Sequence, residues 1–87
     1  MKERLIMTTA RSVAPDFYRL IEERVELAAN NPENRNEDGT VNWNFVDADV
    51  FMETNPTKRT EGLFYQLFEE AAEQFERTVL NNQINLV

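Results

Sequence analysis

Between residues 34 and 42 the chain sets an oxygen-bearing side chain at every second position, Asn34, Asn36, Asp38, Thr40 and Asn42, with Gly39 among them. Such groups are hard donors, suited to a hard cation held by oxygen. A few residues on, Asp47 and Asp49 are the nearest candidates for a carboxylate pair, which in unlike environments can divide acid and base work between them. The rest of the catalytic inventory is missing. The chain has no histidine and no cysteine, so the commonest general base, the thiol nucleophile and the ligands of zinc sites are not there. With glycine only at positions 39 and 62, neither a Walker loop nor a dinucleotide-binding fingerprint can be written. An 87-residue chain also leaves little room for a concave substrate pocket. A protein that is not an enzyme and carries no cofactor is the expectation.

The run Asp38-Gly39-Thr40-Val41-Asn42 is similar to the calcium-binding loops of EF-hands and dockerin modules. With Asn34 as the first loop position, the resemblance implies calcium ligands at Asn34, Asn36, Asp38, Thr40 and Asn42, the sharp turn at Gly39 and the apolar position at Val41. It covers residues 34–45 alone. It departs from the pattern at both ends, where Asn34 stands for an aspartate and Phe45 for the bidentate glutamate. One formal carboxylate around a divalent cation implies a weak site. The same residues also make sense as a turn, with Asp38-Gly39 supplying the positive-φ position that redirects the chain into a strand beginning near Val41.

The elements that must position these residues follow from the apolar spacing. Phe17, Leu20, Ile21, Val25 and Ala28 recur every three or four residues, which predicts an amphipathic helix over about 15–30. Pro15 belongs in its first turn, Asp16 suits the positive end of its dipole, and Asn30-Asn31-Pro32 stops it. A second, longer helix is predicted over about 57–82 from Leu63, Phe64, Leu67, Phe68, Ala71, Ala72, Phe75 and Val79, with Asn55-Pro56 as its entrance. Between them Val41, Trp43 and Phe45 alternate with asparagines, as in a strand with one buried face, so a strand is predicted over 40–46. The alternation then changes phase, which favours a short helix over 48–53. The apolar residues and threonines of 3–9 suit a second strand, paired with 40–46. The expected fold is therefore α+β, a single domain over 1–87 with two helices on a small sheet; the alternative is all-α.

Charge bears on partners. The net charge is −7, and residues 32–56 carry six carboxylates against Arg35 alone. A surface of this sign repels phosphates, so direct binding of nucleic acid is not expected. No apolar run approaches the ~20 residues of a membrane span, and residues 1–13 lack the apolar core of a secretion signal, so a cytoplasmic chain is expected. A small core without disulfides gains from association, which makes a homodimer the expectation as well. The leading functional expectation is a non-catalytic acidic protein-interaction or regulatory module, with Trp43, Phe45, Tyr65, Glu69, Glu70, Glu73 and Glu76 as candidate contacts. Two alternatives stand beside it. One is an inhibitor whose carboxylate stripes on the two helices mimic DNA; the other is a weak calcium-binding module through 34–45.

Overall fold

The computed structural model describes residues 10–85 and is all-α. A single turn, α1 (Ala10–Val13), leads into α2 (Pro15–Ala29); a 3-10 turn (Pro32–Asn34) and a loop follow; α3 (Trp43–Thr54) and the long α4 (Glu61–Asn85) complete the order. Helix α2 starts as its sequence dictates. Pro15 needs no backbone partner in the first turn, and the Tyr18 N–H donates to the Ala14 carbonyl at 2.9 Å. It stops at Asn30, whose N–H reaches the Glu26 carbonyl at 3.2 Å. Asn31 then takes over as a cap, its side-chain oxygen accepting from the Glu33 N–H at 3.0 Å to open the 3-10 turn.

The expected sheet is overturned. Among the described residues the only extended pairing is an isolated antiparallel bridge between Arg35 and Val41, and the residues assigned to a strand over 40–46 pass into helix after Asn42. The cause is local. Asn42 turns its side-chain oxygen onto the Phe45 N–H at 3.3 Å, and its carbonyl accepts from the Val46 N–H at 3.1 Å, so a capped helix begins where alternation suggested a strand. From that start Trp43, Val46 and Val50 share one side at helical spacing, and the change of phase after Val46 is the 3.6-residue period. The short helix expected over 48–53 is the second half of α3. The expected strand over 3–9 lies outside the described residues.

Asn55 is the other corrected position. The sequence places it at the entrance to the last helix, but it closes α3 in the left-handed region (φ 49°), with its N–H on the Phe51 carbonyl at 2.8 Å. A turn over 57–60 intervenes, held by the Thr57 N–H donating to Thr60 Oγ1 at 2.9 Å, and α4 opens only at Glu61.

Helix α2 is the central element, running beside both α3 and α4. Its Ile21, Val25, Ala28 and Ala29 meet Val46 and Val50 of α3 and Phe64, Leu67 and Ala71 of α4 in one buried cluster. Helices α3 and α4 touch through rings. Trp43 lies edge-on to Phe68 and Phe75, with centroids 6.2 and 6.0 Å apart, and Phe51 lies edge-on to Phe64 at 5.1 Å. The molecule measures 44 × 36 × 17 Å. Each of the three long helices keeps one side in solvent.

Candidate functional site

The loop over 34–42 does not gather its oxygens around one point. Asn34 turns inward, is buried, and donates through Nδ2 to the Ala28 carbonyl at 3.0 Å and to Asp49 Oδ2 at 3.2 Å. Asn42 is committed to the start of α3. Asn36, Asp38 and Thr40 satisfy one another instead. The Asn36 amide donates to Thr40 Oγ1 at 2.9 Å, and Asp38 Oδ1 accepts from the Thr40 hydroxyl at 2.6 Å and the Thr40 N–H at 3.0 Å. Those bonds, the hydroxyl first and the backbone second, hold the Asp38 carboxyl below the usual carboxylate range. Gly39, at φ 90°, lets the chain reverse between Asn36 and Thr40. Arg35 clasps the loop, donating through Nε to the Ala29 carbonyl at 2.6 Å and through Nη1 to the Gly39 carbonyl at 2.8 Å. Of the five positions that the EF-hand likeness implies, three cluster and two are employed elsewhere. Among the described residues no group of three or more carboxylates is arranged to hold a metal ion.

Asp47 and Asp49 are separated by the helix that carries them. At ~100° per residue, side chains two apart point to nearly opposite sides of α3. Asp49 faces the 3-10 turn and Asn34, whereas partial burial alone raises the Asp47 carboxyl above its ordinary value. They do not flank a common point at which a substrate bond would sit.

The surface carries its information in apolar side chains. Phe45 is 56% exposed and Met52 is 78% exposed, and with the exposed Ala48 they fall at i, i+3 and i+7 on the side of α3 opposite Val46 and Val50. Exposed Asn44 lies beside them, so no charge interrupts this face. Its near border is polar, with Glu53 paired to Arg24 of α2 at 3.5 Å. Of the other candidate contacts, Tyr65 is 48% exposed and stacks on Phe51 with centroids 6.0 Å apart. Trp43 is half-buried, and its indole N–H donates to Glu76 Oε2 at 2.9 Å, which removes Glu76 from a freely presented acidic stripe. Glu69 and Glu73 are exposed on α4, and Glu70 is partly buried. Met52 was missed from the sequence. Its signal is the seven-residue interval from Phe45, hidden because the expected strand over 40–46 and short helix over 48–53 put the two residues in different elements.

Two clefts flank the C-terminal half of α4. One of about 580 Å³ lies between α4 and the loop, with Val41, Phe75 and Leu80 among its walls; one of about 350 Å³ lies between α4 and α2. Phe75 and Val79 line both. Among the described residues no helix is long and apolar enough to cross a membrane. No protein-family model, curated protein or solved structure matches the chain.

Proposed function

We propose that this chain is a non-catalytic protein-interaction module whose partner covers the outer face of α3. The observation that carries the reading is the two-sidedness of that helix. Its inner side is buried in the chain's own core, and its outer side presents Phe45, Ala48 and Met52 to water without a charged residue among them. Apolar side chains exposed on the outer side of a helix whose inner side is already buried gain a covering by association. Aromatic and methionine side chains are also the types that concentrate at interface centres. The acidic remainder of the surface keeps the free module soluble and steers which partners approach. The reading includes a cytoplasmic location and a protein, rather than a nucleic acid, as the partner.

The test is capture of the partner from the source cells by the tagged chain and by a Phe45→Ser/Met52→Glu variant. Both substitutions are at solvent-exposed positions, so the helical circular dichroism and melting of the variant should match the parent. The expected result is one stoichiometric protein retained by the parent through a high-salt wash and lost by the variant. Equal retention by a folded variant would sink the reading. So would a partner that salt alone strips away, since that is the behaviour of a purely electrostatic contact.

A further inference from the structure

A second surface, separate from the outer face of α3, lies where α2 and α4 part. The two helices meet through Val25 and Ala71, both buried; α2 then ends at Ala29, while the core-facing row of α4 continues through Phe75 and Val79. The groove this leaves, about 350 Å³, has Val25 and Ala71 at its floor and Phe75 and Val79 along its α4 wall. Val79 is 39% exposed there. The α2 wall is acidic, formed by Glu22 and Glu26 one turn apart with Glu23 beside them. Among the described residues no cation pairs with any of the three, and Glu22 has only a 3.5 Å contact from the Tyr18 hydroxyl.

We infer that this groove binds a basic amphipathic helix of a partner protein. The inference rests on the interaction-module reading and names the chemistry of what is bound. The apolar row sets one half of the complement. A helix laid between two others fills their groove with side chains at i, i+3, i+4 and i+7, the spacing at which one face can meet Phe75 and Val79. Charge sets the other half. Glu22 and Glu26 stand at the one-turn spacing at which lysine or arginine on an incoming helix would face them. A neutral or acidic segment would dehydrate three carboxylates with nothing to offset the loss. A second copy of the chain, with its net charge of −7, is a poorer match to this wall.

The full chain is titrated with a synthetic helical peptide of about 18 residues containing only leucine and lysine, the leucines at helical spacing on one face. A peptide of the same composition with leucines scattered round the helix is the control. Trp43 fluorescence reports occupancy, because its ring lies edge-on to Phe75 at 6.0 Å. The expected result is saturable one-to-one binding of the amphipathic peptide, about tenfold tighter than the scattered one, and weakened about tenfold by Glu22→Lys/Glu26→Lys in a variant with unchanged melting. The Phe45→Ser/Met52→Glu variant should bind the peptide like the parent. Equal affinity for the two peptides would reduce the effect to charge alone and overturn the inference. Undiminished binding by the Glu22→Lys/Glu26→Lys variant would overturn it too, as would loss of binding in the α3 variant. Retention of the cellular partner through α3 is read separately, so either conclusion can fail while the other stands.

Discussion

Asp38 and Asp47 have the same side chain within ten positions of sequence and opposite electrostatic settings. Asp38 is stabilised as a carboxylate by Thr40, and Asp47 is pushed toward its neutral form by partial burial. The sign of the Asp47 effect fixes a prediction. A carboxyl raised above its ordinary value binds its proton more tightly in the folded chain, so its contribution favours the fold at low pH and is lost as pH rises from about 3.8 through the raised value. Asp47→Asn should therefore raise the melting midpoint at pH 7 and leave it close to the parent's near pH 3. A gap of equal size at both pH values, followed by circular dichroism, would contradict this account. The oxygen-rich run itself was legible in the sequence. The directions its side chains take were not, because Asn34 follows the helix-end carbonyl of Ala28 and the carboxylate of Asp49, partners that only folding brings to it.

At the level of elements, two of the three long helices could be read directly. Helix α2 was expected over about 15–30 and runs Pro15–Ala29, since its apolar stripe, its proline and its closing asparagines all agree. The last helix was read correctly in kind, but its start was placed too early because Asn55-Pro56 serves the end of α3 instead. The first turn of α3 reads as strand and only its second half as helix, and its composition explains the error. A helix with apolar residues on both sides has no stripe to count, and three alternating residues fit either period. What remained to decide was the cap, and Asn42 provides it. Asn42→Ala should cost about 1 kcal/mol of unfolding free energy in urea titration, with α3 fraying from its first turn. A loss well below that would mean that the aromatic contacts of Trp43, rather than the cap, define where α3 begins.

For the whole molecule, exposure and charge act together. Among the described residues most carboxylates are exposed to solvent, and Arg24 and Glu53 form an ion pair at 3.5 Å. Self-repulsion at a net charge of −7 should destabilise the free chain at low ionic strength, so added sodium chloride up to roughly physiological strength should raise its melting midpoint. A midpoint that falls with salt would instead point to net attraction among its charges. Phe45 and Met52 are exposed because the core of the described residues packs on the opposite side of α3, at Val46 and Val50.

The sequence by itself determined the helical nature of α2 and α4, the lack of histidine and thiol chemistry, and the acidic surface. These depend on composition and on periodicity within one segment. Tertiary structure alone decided which apolar side of α3 is buried and which is left exposed, that the oxygens of 34–42 are divided among a cap, a core contact and a turn, and that α2 and α4 part around an acidic groove. Each of these depends on which distant group a side chain meets. A local pattern can set the period of an element, but the face it buries and the partner each polar atom finds are properties of the packed chain.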